Sequence, residues 1–343
     1  MAKRPTITDV ARTAGVGPAT VDRVLNGRGN VRADTAHRVL AAAQKLGYHA
    51  AALIEQRIKA DLPQVRFGIV LHKERQDFYQ TFAAEMQRAI RAATGIRPRL
   101  ELRFAQSQTP QDFITQMTDL QDKVDVLAAS AISHPLVTDK VTELQRRGVP
   151  VFALLNDFAQ GVRQNYVGLN NMKAGRIAGW MMAAKAPGGG KLGLFIGGHR
   201  WHGHELRETG FRSYFREHAP QFEILDAQPT LETRQLTYEA TVGLLERHPD
   251  LRGIYVAGGG MEGAIAAVRE LRRPGELALI VHELTPDSRA AMTEGFVTTV
   301  LCTPLPALCD RLVELMTSAA LGQMADVSGQ VFLPPDLLIP ESI

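Results

Sequence analysis

In the stretch "VGPATVDRVLNGRGNVRAD", residues 16–34, Arg23 follows Ala19 by four positions among hydroxyl, amide and basic side chains. A guanidinium is a planar fork of donors that fits the two acceptors on a guanine edge, and the methyl of Ala19 suits a thymine methyl. Thr8, Thr20, Asn26, Arg28 and Asn30 carry the groups that bind phosphate oxygens.

Other groupings invite other chemistry. His199, His202 and His204 in "HRWHGH" raise the question of a metal. Their spacing matches no helical ligand pair and no thiolate or carboxylate motif accompanies them, so no metal site is assigned. The segment is expected to be a solvent-exposed loop at the cleft mouth. The glycine-rich "GGGKLGLFIGG" and "AGGGMEG" lack the G-x-G-x-x-G of a dinucleotide loop between strand and helix. No nucleophile elbow occurs, so neither an enzyme activity nor a cofactor is expected. The two cysteines, Cys302 and Cys309, give no disulfide framework and suit a reducing cytosol.

Apolar spacing places the first group of residues on helices. Thr6 and Thr8 precede Val10, Ala11 and Ala14, and Gly15 ends that helix. A second helix follows Gly17 as N-cap, with Pro18 at its first position, where the missing N–H costs nothing. Val21, Val24 and Leu25 line its inner face and leave Ala19, Thr20, Asp22 and Arg23 outside. A third helix, 35–46, buries Ala36, Val39, Leu40, Ala43 and Leu46. Two short helices joined at a glycine and buttressed by a third make a helix-turn-helix, whose second helix enters a major groove. A helical bundle that binds protein would show the same pattern.

Charge leans the same way. Residues 1–60 hold ten Lys/Arg against four Asp/Glu, a surplus of six in a chain whose net charge is +3. A basic head on a mildly acidic body is what a polyanion-binding module looks like, though a solvated basic face shares the signature.

From residue 65 onward strand-like and helix-like segments alternate, from "VRFGIVLH" to "VTTVLCT", with a restart after "APGGGK" at 186–191. Such alternation implies parallel sheets covered by helices, here as two lobes with a cleft at the carboxyl ends of the strands. No apolar run is long enough to cross a membrane, and the N-terminus lacks a signal-peptide core, so a cytoplasmic protein is expected.

"TITDVARTAGVGPATVDRVLNGRGNVRADTAHRVLAAAQKLGY" is similar, almost position by position, to the DNA-binding head of the lactose-repressor (LacI/GalR) family. The resemblance rests on "DVA", "AGV", "ATV.RVLN" and "V...T..RV..A...LGY". The body resembles the periplasmic-binding-protein-like core of the same repressors. The family implies a ligand-responsive regulator, a repressor by type, acting as a homodimer on a pseudo-palindromic operator. It implies three parts: a helix-turn-helix domain at 1–49, a hinge at 50–63, and a two-lobed ligand-binding and dimerisation domain at 64–343. The DNA-binding set becomes Thr8, Gly17, Pro18, Ala19, Thr20, Arg23, Asn26, Arg28 and Asn30, with Arg57 in the hinge.

Loop matches nominate a ligand set. "LHKERQDFY" supplies Lys73, Phe78 and Tyr79, "LLNDF" supplies Asn156 and Asp157, "RETGF" supplies Arg207, and "VHELTPD" supplies His282 and Glu283. Planar polar groups with aromatic walls suit a small sugar, polyol or cyclitol. A sugar-binding protein of a transport system would share the body but not the head.

Four departures stand out. Asp22 occupies a position where the family usually has Ser or Thr. Ala50 replaces a hinge proline and Arg57 stands where a minor-groove leucine is expected, leaving Leu53 or Ile58 as other wedges. "AGGGMEG" lacks the family's Asn-Asp, and Cys302 stands where Gln is common. Both of the last two remove hydrogen-bonding groups from the expected cleft.

Overall fold

The computed structural model describes residues 4–27, 31–186, 188–323 and 329–343; Arg28 and Asn30 lie outside the described residues. The chain divides into two compact units, Met1–Val65 with Ala93–Arg99, and Arg66–Ala92 with Leu100–Ile343.

The smaller unit is helical: α1 (Ile7–Ala14), α2 (Pro18–Asn26), α3 (Ala33–Leu46) and α4 (Ala51–Asp61). A capping box starts α1: the Thr6 hydroxyl accepts from the Asp9 N–H, and Asp9 accepts from the Thr6 N–H. Thr8 sits inside the first turn. Gly15, Gly27 and Gly47 end the first three helices in the left-handed conformation that only glycine adopts freely. Helix α3 begins two residues before the expected Thr35, because Arg32 caps it through its backbone carbonyl alone. The shared core is Val10, Ala11, Ala14, Val21, Val24, Val39, Ala42, Ala43, Tyr48 and Ile54. Ala36, Leu40 and Leu46 pack at its edge.

The larger unit is wound twice from strand–helix repeats. The first run is β1 (Gln64–His72), α5 (Asp77–Ala92), β2 (Arg97–Ala105), α6 (Pro110–Leu120), β3 (Val126–Ala129), α7 (Pro135–Arg146), β4 (Val151–Leu154) and β5 (Asn165–Leu169). The second opens with α8 (Asn171–Lys185), β6 (Gly190–Ile196), α9 (His202–His218), β7 (Phe222–Ile224), β8 (Gln228–Pro229) and α10 (Arg234–Arg247). It continues through β9 (Gly253–Val256), α11 (Met261–Leu271), β10 (Ala278–His282), α12 (Pro286–Thr293) and β11 (Thr299–Cys302). The chain then returns to the first lobe with α13 (Leu305–Ala320) and β12 (Gly329–Leu333), and ends its strands with β13 (Asp336–Leu338).

The first lobe's sheet has the order β12-β5-β4-β3-β1-β2 and the second β13-β11-β10-β9-β6-β7. Pairing is parallel through the interior of both, as in Ile69↔Ala128 and Leu279↔Ile254, while β13 joins β11 antiparallel. Strands such as "VLAA", "VFAL" and "GIYV" are buried along their whole length, because helices cover both faces. The backbone passes between lobes three times, at Asn170, at Thr303–Pro304 and between β12 and β13.

Helices α8 and α9 pack unusually closely. A Cβ at Gly175 would land on the Arg207 carbonyl oxygen, and one at Gly210 on the Met172 carbonyl oxygen. These two glycines let the backbones touch, which sets the depth at which α9 holds its side chains.

Candidate functional site

The head leaves most of its nominated residues open to solvent. Thr8, Gly17, Pro18, Ala19, Arg23 and Asn26 are exposed and Thr20 is half-buried, while Val21 and Val24 turn inward. Gly17 supplies no side-chain cap; its carbonyl accepts from the Thr20 N–H at 2.9 Å, and the positive end of the α2 dipole lies at Pro18–Thr20. Asn26 is already engaged: its Nδ2 donates to Asp22 Oδ1 at 2.7 Å. The unusual Asp22 therefore spends its carboxylate on a neighbour four residues along. In α4, the Arg57 guanidinium lies beside Gly27, with Nη1 3.4 Å from where a Cβ would stand, a favourable place for a cation at a helix C-terminus. Ile54 is buried and Ile58 packs against the head core, whereas Leu53 is 43% exposed.

The larger unit carries a cleft between its lobes, walled by residues that follow β1, β3, β4 and β5 on one side and β6, β9, β10 and β11 on the other. The open space between the lobes, solvent at its mouth included, is about 830 Å³. Phe78, Tyr79, Asn156, Arg207, His282 and Glu283 all lie on its wall.

Arg207 is the centre of the second lobe's wall. Its side chain is buried; Nε donates to Asn171 Oδ1 at 2.8 Å and Nη1 to the Ala257 carbonyl at 2.8 Å. Nη2 has no hydrogen-bond partner among the described residues. Glu283 sits at φ 70°, a strained value for a non-glycine residue. It accepts from the Thr303 N–H at 2.9 Å and the Thr303 hydroxyl at 2.6 Å. Burial nonetheless raises its carboxyl pKa, and Glu262 at the start of α11 is raised for the same reason. His282 bonds Tyr255 through Nε2 at 2.8 Å, and its Nδ1 has no hydrogen-bond partner among the described residues.

Asn156 spans the lobes: Nδ2 donates to the Ala131 carbonyl at 2.6 Å and Oδ1 accepts from the Gly203 N–H at 2.8 Å. Two nominated residues lie behind the wall. Asp157 forms a buried ion pair with Arg163 and accepts from Gln330 at 2.8 Å, clipping β12 to the loop after β4. Lys73 pairs with Glu232, Nζ to Oε2 at 3.5 Å.

Glu232 and His204 were not among the nominated residues, and they fill the place of the missing Asn-Asp. A Cβ at Gly258 would collide with the His204 ring, and one at Gly259 would crowd Glu232. The glycines thus make room for two polar side chains from other segments. His204 Nδ1 accepts from the Gly197 N–H at 3.1 Å, which puts the ring proton on Nε2, facing Glu232 Oε1 at 3.6 Å. Burial lowers the His204 pKa to about 4, so the ring is neutral near pH 7. Burial would raise the Glu232 carboxyl, but the surrounding positive charge and the Gly259 N–H, at 3.0 Å, outweigh it and hold it low. With His204 neutral, Lys73 is the cation that matters.

The expectation of a solvent-exposed loop fits His199 and Arg200, which are exposed, but fails for Trp201 and His204. Trp201 is the N-cap of α9 and 4% exposed, with its ring among His72 and Phe113, and His204 is buried on the first turn of the same helix. Among the described residues no group of His, Cys, Asp or Glu is arranged to hold a metal ion, and no helix is long and apolar enough to cross a membrane.

Residues 67–324 match the family model for the periplasmic binding protein domain, and residues 6–50 match that for bacterial regulatory proteins of the lacI family. The HTH-type transcriptional regulator reg1 of Streptomyces lividans is 27% identical over 345 residues, covering 96% of this chain and 94% of that protein. The HTH-type transcriptional regulator MalR of Streptomyces coelicolor is 26% identical over 337 residues, with the same coverage of 96% and 94%. A solute-binding protein of an ABC transporter from Burkholderia graminis, solved in complex with D-arabinose, superposes with a TM-score of 0.76 at 17% identity. It covers 82% of this chain and 97% of its own, and the likeness shows the fold. Through its core the chain belongs to the periplasmic binding protein domain family and through its head to the lacI family of bacterial regulatory proteins: it is a ligand-responsive, DNA-binding transcriptional regulator.

Proposed function

We infer that this regulator is a cytoplasmic, non-enzymatic repressor that acts as a homodimer on a pseudo-palindromic operator and senses a small polyhydroxylated compound. One recognition helix reads one half-site, so two-fold symmetric DNA calls for two copies of the head. The DNA-facing set is Thr8, Gly17, Pro18, Ala19, Thr20, Arg23 and Asn26, with residues 50–63 as hinge.

The observation that carries the effector class is Arg207: buried, pinned by two bonds and still offering Nη2 to the cleft. Around it stand the aromatic walls of Phe78, Tyr79 and Trp201 and the acceptors of Glu232 and Glu283. Fixed donors, fixed acceptors and apolar ring faces are what vicinal hydroxyls on a compact ring require. A sugar, polyol or cyclitol of monosaccharide size fits this set.

A thermal-shift screen of pentoses, hexoses, polyols and cyclitols, with amino acids as controls, tests the reading. A ligand at ~100 Kd adds ~2.7 kcal/mol of stability. Stabilisation by amino acids alone would refute it. Retention of the full chain, but not of a head-deleted core, on heparin at low salt separates it from a transport-type binding protein.

A further inference from the structure

The segment between β8 and α10 is reached from the other lobe by three side chains. Lys73 Nζ donates to the Leu231 carbonyl at 2.9 Å and the Glu232 carbonyl at 3.0 Å. Gln76 Nε2 donates to the Glu232 carbonyl at 3.2 Å, and Gln108 Nε2 to the Leu231 carbonyl at 3.2 Å. Three first-lobe side chains thus converge on two consecutive carbonyls of the second lobe. Lys73, Leu231 and Glu232 all have positive φ, at 48°, 51° and 54°, and none is glycine. Backbone held in this region persists only where its surroundings over-determine it.

Beside this contact a second one runs the opposite way. Trp201 belongs to the second lobe by chain position, yet its side chain is part of the first lobe's hydrophobic cluster with Val70 and Phe113. Its Nε1 donates to Gln108 Oε1 at 3.0 Å, so the ring that plugs one lobe also orients the amide that grips the other. The Ser133 N–H donates to the Arg200 carbonyl at 2.9 Å next to it. Each of these bonds runs directly from lobe to lobe.

We propose that the two lobes are held closed without effector by this clasp, the Lys73–Gln76–Gln108 donors on the Leu231–Glu232 turn and Trp201 seated in the first lobe, with Lys73 as its positioning residue. The effector then enters through transient opening of an already closed cleft, and its affinity is reduced by the rarity of the open form. Its binding changes the clasp, because Glu232 and Trp201 are on the cleft wall as well as in the clasp.

The chain has two tryptophans, and Trp180 is 57% exposed, so a Trp180→Phe background leaves Trp201 as sole reporter. In effector-free, full-length protein, acrylamide is expected to quench Trp201 weakly. Lys73→Met is expected to raise the quenching constant several-fold, and Lys73→Arg, whose guanidinium still donates to both carbonyls, to restore protection. Spin labels at Gln111→Cys and Gln235→Cys, one on each lobe, read the same event as a distance. A single short distance is expected in the parent and an added longer component in Lys73→Met. The native Cys302 and Cys309 are buried. If Lys73→Met does not fold by circular dichroism, the Gln76→Ala/Gln108→Ala double variant takes its place with the same expected outcome. Freely quenched Trp201 in the effector-free parent, or clasp variants with the parent's quenching and distance, would overturn the proposal.

Discussion

Arg207 donates from Nε to Asn171 Oδ1 at 2.8 Å across the α8–α9 packing, and this contact fixes how the guanidinium enters the cleft. Asn171 in turn donates to the Tyr166 hydroxyl at 3.3 Å, so the placement is relayed to β5 of the first lobe. Losing a charged hydrogen-bonding partner costs ~1.5–3 kcal/mol, roughly ten- to hundred-fold in affinity. Arg207→Ala is expected to lose that much affinity for the sugar that most stabilises the wild type, while operator binding stays at the effector-free level. Arg207→Lys should not rescue, since one ammonium cannot hold Asn171 and Ala257 and still face the cleft. Calorimetric titration and operator gel shifts on one preparation read both; a wild-type response in Arg207→Ala refutes the assignment.

The same site depends on two residues that lie outside the cleft wall. Gly175→Ala and Gly210→Ala would each push α8 and α9 apart, because the added carbon meets backbone and cannot be accommodated by a side-chain rotation. Overpacking of this kind costs about 1–3 kcal/mol. Both variants should melt earlier and respond more weakly to effector, and a variant with unchanged melting would show that the helices have room to spare.

In the head, Asp22→Ser removes a negative charge from the recognition helix and frees Asn26 from its 2.7 Å bond. Operator affinity should rise and its salt dependence steepen, by a log–log slope of ~0.9 if one further phosphate contact forms. Arg23→Ala should instead cost ~1–3 kcal/mol and relax preference at one symmetric base pair per half-site. Fluorescence anisotropy on operator and on unrelated DNA at several salt concentrations separates the two effects.

For the proposed hinge, exposure favours one of the three wedge candidates. Ile58 is occupied in the head core and Arg57 lies at the end of α2, which leaves Leu53 as the exposed apolar side chain. Leu53→Ala is therefore expected to abolish bending at the operator centre, whereas Arg57→Leu should mainly destabilise the head. Circular-permutation gel shifts report the bend; normal bending in Leu53→Ala would return the role to Arg57 or Ile58.

Stability should fall with pH in a window set by buried imidazoles. Burial lowers His72 and His204 to about 4 and holds His282 well below its ordinary value. Unfolded, each takes a proton near ~6.5, so between there and ~4 the unfolded chain binds more protons and gains on the folded one. The loss runs to ~1.4 kcal/mol per pH unit for each such histidine. Glu232, held low in the fold, adds to the loss below ~4.3. Urea unfolding at pH 7 and pH 5 should show a smaller difference in His204→Gln than in wild type; equal differences would mean that His204 titrates normally.

The parts that were legible in the sequence are those where local chemistry and position coincide. Pro18 after Gly17 marks the start of α2, and "RETGF" marks an arginine next to a glycine that packs helices, which is how Arg207 comes to be buried. Glu232 was not legible. It reaches the cleft from a loop, "TLETR", whose backbone conformation no residue type announces, and its space exists because Gly258–Gly260 lack side chains in another segment. Trp201 and His204 were misread because a polar stretch hides which two of its residues face inward on the first turn of a helix. The loop "LLNDF" nominates Asp157 together with Asn156, but Arg163, six residues on, claims its carboxylate.

The three passages of the backbone between lobes bear on how such a regulator can acquire new specificities. The helical head is one uninterrupted stretch of chain, so a single recombination junction near residue 60 would exchange the DNA address intact. The lobes are interleaved: α13 and β12 complete the first sheet's lobe only after the second has been built. One junction anywhere between β5 and α13 would therefore build the first lobe from two parents, with mismatched packing of α13 along β5 and β3. New operators can be traded whole between genes, while new effectors must be reached residue by residue.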